Sequence, residues 1–266
     1  MSDIETVNIP DDIPKLIDIA KEFGVELEEH EGFFNLEQVK FLIYGESGAG
    51  KTVFSSSWPD CVFLDIDKGM SSVTRRVARI PISATKQQTA WDAMTRAIAY
   101  LESGQHNFKT VVVDSLNEMQ AIAMDDILEN FPEIRRPYNR LASKGDYGMM
   151  LFDFDHALRR LKALPMHVVF VCQVASREYE TDVIQPQLTG KNTPRTVARM
   201  MDVIGYLYKQ EGGDEETSGD KSVRIMIFDA VNHVTKDRSG LLPMRVQNPV
   251  FATLYEHWQT QFDPTE

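Results

Sequence analysis

"FLIYGESGAGKT", residues 41–52, decides how the rest of the chain is read. It places Gly45, Glu46, Ser47, Gly48, Ala49, Gly50, Lys51 and Thr52 in the spacing G-x-x-x-x-G-K-[ST], directly after the apolar run "VKFLIY" (39–44). "KTVFSSSW" then reads as the opening of a helix. A strand before the loop and a helix after it are the context that gives this spacing its meaning. Glycines at 45, 48 and 50 let the backbone turn its N–H groups inward around phosphate oxygens. The helix that begins near Gly50 adds its positive end. Lys51 reaches the β- and γ-phosphates, and Thr52 offers a hydroxyl to Mg²⁺.

A magnesium ion bound there needs a carboxylate as well. "TVVVDS" (110–115) ends a strand-like run with Asp114, which suits that task, although a strand-end Asp also serves as a helix N-cap. Ser115 follows, where many P-loop ATPases carry Glu, so a catalytic base has to come from elsewhere. "CVFLDIDKG" (61–69) offers Asp65 and Asp67, two residues apart and therefore on one face. The strand follows the P-loop helix, so its C-terminal end lies on the ligand side of a parallel sheet. Asp67, further along, is the better placed to orient a water, the other reading being a turn-forming Asp. Glu118, one turn into the next helix, is the second candidate base. Gln173 closes "VVFVCQ" at another strand end, where an amide either reports a γ-phosphate or caps a turn.

Outward from the P-loop, strand-like and helix-like segments alternate. Strands are read at 39–44, 61–66, 110–115 and 167–173, and helices at 89–104, 116–130 and 146–164. In the first of these helices Trp91, Met94, Ile98 and Leu101 share one face. Alternation of this kind argues a mostly parallel sheet covered by helices on both faces. "MDVIGYLYKQ" (201–210) and "SVRIMIFDAV" (222–231) read as an antiparallel pair at one edge. The expected organisation is an acidic N-terminal extension with a short helix over 1–37 and an ATPase core over 38–266.

The 266 residues carry a net charge of −12, of which residues 1–32 supply −8, with ten acids and two lysines. A second acidic stretch, "EGGDEETSGD" (211–220), reads as a loop. The remainder is close to neutral, so an anionic partner is not excluded. The longest apolar runs are far short of the ~20 residues that span a bilayer. Cys61 and Cys172, both in strand-like runs, read as buried and reduced, as in a cytoplasmic protein. Asp114 is followed by "SLN" and not by the D-x-x-G pattern of GTPases, and no N-K-x-D appears, so the expected nucleotide is ATP.

"YGESGAGKT", "VVVDS", "DYG", a strand ending in Gln173, "LTGK" and "KDRSG" follow one another in an order that resembles the RecA-like recombination ATPases. The chain looks most like the small phage nucleotide-binding proteins of that superfamily, AAA-type ATPases of the single-strand annealing group. The likeness spans roughly residues 38–245, with Asp67 standing where the resembled pattern has Glu. It implies a RecA-like core with the Gln173 strand between the P-loop and Asp114 strands. It implies ATP hydrolysis, and single-stranded DNA as a partner. It also implies assembly of the chain with itself into a ring or filament, with a single-strand binding protein as a further partner, in the host bacterial cytoplasm. Two segments would correspond to DNA-binding loops. Residues 131–146 hold Arg135, Arg136, Arg140 and Lys144 with Phe131 and Tyr138 interleaved; residues 186–200 hold Lys191, Arg195 and Arg199 and no acid. Cations for phosphates and aromatics for bases are what sequence-neutral single-strand binding uses; solvated surface loops are the plain alternative. By the same likeness Lys236 and Arg238, in "VTKDRSG", would reach a neighbouring subunit's γ-phosphate; an exposed turn is the other reading. A monomeric P-loop kinase or regulatory NTPase, with residues 131–146 as its lid, is the competing function.

Overall fold

The computed structural model describes residues 21–24, 33–131, 141–176, 182–210 and 222–262. The chain divides into residues 1–34 and residues 35–266. In the first unit Gly24, at φ +68°, closes a helical turn by donating its N–H to the Lys21 carbonyl at 3.0 Å. Residues 1–20 and 25–32 of the acidic stretch lie outside the described residues.

The second unit is built on nine strands among the described residues: β1 Lys40–Gly45, β2 Cys61–Asp65, β3 Ala78–Pro81, β4 Thr110–Asp114, β5 His167–Gln173, β6 Val203–Gln210, β7 Val223–Ile227, β8 Lys236–Asp237 and β9 Arg245–Gln247. Their order is β3-β2-β4-β5-β1-β6-β7-β9, with β8 against the start of β6. The first six are parallel; β7, β8 and β9 pair antiparallel. This is a mixed α/β fold with a mostly parallel, helix-flanked sheet and an antiparallel edge, and β5 lies between β1 and β4. The helices are α1 Lys51–Ser55, α2 Ala90–Glu102, α3 Leu116–Asn130, α4 Lys144–Ala163, α5 Thr193–Met200 and α6 Phe251–Gln259.

Strands β1, β2 and β4 are buried along their whole length, and β5 up to its last residue. That is why they are runs of Val, Ile, Leu and Phe and not apolar-polar alternations. Side-chain alternation sorts them by face. Leu42, Leu64, Val113 and Phe170 pack with Met94 and Ile98 of α2, Met119 and Ala123 of α3, and Phe154 and Leu158 of α4. On the opposite face Phe41 meets Phe54 of α1 and Trp58, each with ring centroids 5.5 Å away, and Trp58 lies 6.4 Å from Trp258 of α6. Capping fixes where the helices start. Thr89 and Asp92 form a reciprocal capping box on α2, and Ser143 and Asp146 form one on α4. Leu164 ends α4 in an extended conformation, as the residue before Pro165 prefers.

Two lysines satisfy carbonyls left open at helix ends. Lys40, buried in β1, donates Nζ to the Leu164 and Met166 carbonyls at 2.8 and 2.6 Å beyond α4. Burial lowers its pKa to about 8. Lys236 in β8 donates to the Ala198 and Met201 carbonyls at 3.2 and 2.5 Å at the end of α5.

The basic stretch 186–200, read above as a loop, contains the helix α5, with Pro194 in its first turn, where proline is tolerated. Strands β3, β8 and β9 and helix α6 also go beyond the segments read from periodicity.

Candidate functional site

The C-terminal ends of the parallel strands converge. Gly45 pairs with Gln173, Asp65 with Asp114, and Asp114 with Val171. At this edge lies a cavity of about 240 Å³, lined by Lys51, Thr52, Asp67, Asp114, Gln173 and Arg224 among others. Gly45 is required by close approach: a Cβ there would overlap the Leu207 carbonyl oxygen on β6. Gly50 has φ +105°, a conformation that side chains rarely adopt.

Lys51 Nζ donates to the carbonyls of Gly45 and Glu46 at 2.8 and 2.9 Å, and to Gln173 Oε1 at 3.1 Å. Burial lowers its pKa, opposed by the carboxylates nearby. The Thr52 hydroxyl donates to Asp114 Oδ2 at 2.8 Å. Burial pushes the Asp114 carboxyl up to about 6; the Thr52 hydrogen bond acts against the shift, and the like charge of Asp67 adds to it. The Asp114–Ser115 peptide is cis. A hydroxyl touching a carboxylate at the edge of this cavity is a hard-oxygen pair that fits Mg²⁺, an ion that takes one or two protein ligands and completes its octahedron with phosphate and water. Among the described residues no cluster of three or more His, Cys, Asp or Glu is placed to hold a metal by itself.

Asp67 lies just beyond β2, exposed, with its N–H donating to the Asp114 carbonyl at 3.2 Å, and it lines the cavity. Asp65 does not: it is buried and paired with Arg79 of β3 at 2.6 Å. Glu118 sits in the first turn of α3, where its N–H meets the Ser115 hydroxyl at 3.5 Å, and it is not in the cavity lining.

Gln173 joins the P-loop to a second region. Its side chain holds Lys51, its N–H donates to Asn117 Oδ1 at 2.8 Å, and its carbonyl accepts from Gln187 N–H at 2.8 Å. One turn apart on α3, Asn117 and Gln120 grip the same segment. Asn117 Nδ2 donates to the Gln187 carbonyl at 2.6 Å, and Gln120 exchanges two hydrogen bonds with the Thr189 backbone at 2.8 and 3.2 Å. Lys191 and α5 follow at once. Lys191, Arg195 and Arg199 are exposed, and Arg195 and Arg199 are four apart, hence on one helix face. Lys144, the first residue of α4, is also exposed, near in sequence to the exposed apolar side chains of Leu141, Tyr147 and Phe152. Arg135, Arg136 and Arg140 lie outside the described residues.

Lys236 and Arg238 are not brought to this cavity. β8 pairs with the first residues of β6, whereas the P-loop strand reaches Tyr206 further along β6, so the pair sits towards the opposite end of the sheet. Lys236 caps α5, and Arg238 Nη1 donates to Asp202 Oδ1 at 2.8 Å. Asp202 in turn accepts the Lys40 N–H at 2.9 Å through its other oxygen. Both cations are therefore engaged within their own chain. We expect Lys236→Met to leave two carbonyls without a donor and to cost about 1–3 kcal/mol. That corresponds to roughly 2–12 °C in Tm for a unit of this size, read by thermal and urea unfolding. A variant with unchanged Tm and lost nucleotide hydrolysis would instead return the lysine to a phosphate-directed role.

Arg224 of β7, in the cavity lining, and Lys209 of β6, beside the P-loop at Gly48, escape the sequence reading. Each is a polar residue in a strand, and their approach to the P-loop depends on how the edge strands pair.

No helix among the described residues is long and apolar enough to cross a membrane. Residues 37–239 match the family described as an AAA domain. No curated protein matches the chain at a significant level.

Proposed function

The chain belongs to the AAA domain family, a family of P-loop NTPases, and from that premise we propose that it is an ATP-binding and ATP-hydrolysing DNA recombination protein. In this reading it binds single-stranded DNA and promotes annealing as an oligomer. The observation that carries the reading is the position of Gln173, whose amide holds Lys51 while its backbone holds the segment that leads into the basic face of α5.

Lys51 holds the β- and γ-phosphates, its ammonium exchanging loop carbonyls for phosphate oxygens. Thr52 and Asp114 would hold Mg²⁺, which when bound neutralises charge on the phosphate oxygens. Asp67 orients a water and draws on its proton. When Lys51 turns to a phosphate it releases the Gln173 amide, which is then free to donate its N–H groups to the γ-phosphate. The rearranged Gln173 is linked through its backbone hydrogen bond with Gln187 to the 187–191 segment, so that occupancy of the nucleotide site biases the presentation of Lys191 and Arg195. Lys144, with Arg135, Arg136 and Arg140, supplies the second basic strip, and exposed aromatics supply faces for bases.

The test is binding of a labelled oligonucleotide with a non-hydrolysable ATP analogue across a salt series, alongside size measurement with and without DNA. Single-strand binding should be sequence-independent and should weaken steeply with salt. If Lys191 and Arg195 each neutralise one phosphate, replacing both by alanine should make the log–log salt slope shallower by about 1.4. Gln173→Ala should leave single-strand binding in place but remove its dependence on nucleotide. A chain that hydrolyses ATP, stays monomeric and ignores single strands would be the kinase or regulatory NTPase instead.

A further inference from the structure

The antiparallel edge of the sheet is where the described part of the site has a feature that its P-loop does not explain. Arg224 on β7 leans over the loop: a Cβ at Gly50 would lie 2.5 Å from Arg224 Nε and 2.8 Å from its Cδ. Lys209 on β6 stands next to it, with Nζ 3.9 Å from where a Cβ at Gly48 would be. The two residues are direct partners in the β6–β7 register. Like charges directly opposite each other across an antiparallel pair repel. Neither cation forms an ion pair among the described residues, in contrast to Arg79, Arg160 and Arg238, which each hold a carboxylate.

The position of Arg224 is fixed from behind. Its N–H donates to Asn248 Oδ1 at 3.1 Å, and its carbonyl accepts the Asn248 N–H at 2.6 Å. Asn248 follows β9, which pairs with β7 from Ile225 to Ile227. The guanidinium is thus carried on a strand that is paired on both sides. Charge points the same way. Among the groups lining the cavity, Lys51 and Arg224 balance Asp67 and Asp114. Without Arg224 the cavity would be net acidic, which opposes a polyphosphate.

We propose that Arg224, assisted by Lys209, is a phosphate-binding cation that the edge strands hold over the P-loop of the same chain, and that it selects a nucleoside triphosphate over a diphosphate. The repulsion between the two cations is relieved when an anion sits between them. A guanidinium presents two parallel N–H groups to a phosphate, which an ammonium cannot do. The inference rests on the nucleotide-binding reading of the P-loop and adds to it a residue outside the motif.

The experiment measures magnesium-dependent binding of fluorescent ADP and of a fluorescent non-hydrolysable ATP analogue to the full chain. Wild type, Arg224→Ala, Arg224→Lys and Lys209→Ala are compared, with Tm recorded for each. Arg224→Ala should weaken the triphosphate by about 10- to 100-fold, the size of one charge-assisted hydrogen bond, and ADP by less than about threefold. Arg224→Lys should recover part of the loss, and Lys209→Ala should show a smaller loss of the same kind. Should Arg224→Ala fold poorly, Arg224→Lys carries the comparison, since it keeps the stem and the charge. Equal affinities in wild type and variant, or an equal loss for both nucleotides, overturns the inference while leaving the P-loop reading standing. A wild-type chain that binds neither nucleotide overturns both.

Discussion

Replacing Lys51 by alanine is expected to abolish nucleotide binding at micromolar concentrations. In the structure the Lys51 ammonium is held by the Gly45 and Glu46 carbonyls and Gln173 Oε1, all within 3.1 Å. It is buried, and burial lowers its pKa, so the charge is retained only where acceptors surround it. Removing a buried, hydrogen-bonded charge that faces a phosphate costs about 2–5 kcal/mol, or roughly 30- to several-thousand-fold in affinity. Arg224 does not substitute for it, because its guanidinium lies over Gly50 from the β7 side, whereas Lys51 Nζ sits at the Gly45 and Glu46 carbonyls at the start of the loop. Titration calorimetry with an ATP analogue and magnesium measures the loss. The fold should survive, because the three acceptors released by the truncation face a polar cavity that water can enter. Wild-type affinity in Lys51→Ala would remove the P-loop from the binding site.

Much of this architecture is legible along the chain because it depends on local signals. The P-loop is one continuous stretch, and its glycines answer to backbone demands that a sequence can display. Strands β1, β2, β4 and β5 are apolar throughout because they are covered on both faces. Helix α3 covers the same residues, 116–130, as the helix read from the sequence, and the structure caps it with Ser115. What could not be read depends on pairing between distant segments. Arg224 reaches the P-loop through the register of β6 with β7, and the segment between those strands does not encode that register in any periodic form. For Lys236 and Arg238 a phosphate-directed role comes from the likeness to RecA-like ATPases and not from any local pattern. Within the chain their partners are two helix-end carbonyls and Asp202, contributed by segments 35 to 38 residues earlier. Helix α5 was hidden because "TPRTVARM" is short and basic, and its buried side, made by Pro194, Val197 and Met200, is three residues of a single stripe.

Asp67→Asn is expected to reduce ATP turnover by on the order of 10²–10⁴-fold, the range spanned by general acid–base groups, with triphosphate affinity close to wild type. The argument begins with Ser115, which occupies the position after Asp114 where a base would stand, and which is committed to capping α3. Two carboxylates then compete for the role. Asp67 lines the cavity beside Asp114, whereas Glu118 points from the first turn of α3 and is not in that lining. Asparagine keeps the size of the side chain and one hydrogen-bonding oxygen but gives up the charge, so the loss reads the carboxylate and not the space. A second readout tests whether the Asp67 charge reaches Asp114. Burial, with the Asp67 charge adding to it, raises the Asp114 carboxyl to about 6. As pH falls through that value the wild-type chain protonates Asp114 and loses its charge for magnesium, so magnesium-dependent nucleotide binding should weaken. In Asp67→Asn one like charge is gone, Asp114 becomes more acidic, and that acid limb should move to lower pH. A limb that stays in place would mean that the Asp67 charge does not act on Asp114. Glu118→Gln, measured in parallel, should turn over ATP at the wild-type rate. If Glu118→Gln is the variant that loses turnover while Asp67→Asn keeps both its rate and its acid limb, the base is on α3, and the carboxylate beyond β2 serves only the turn that follows it.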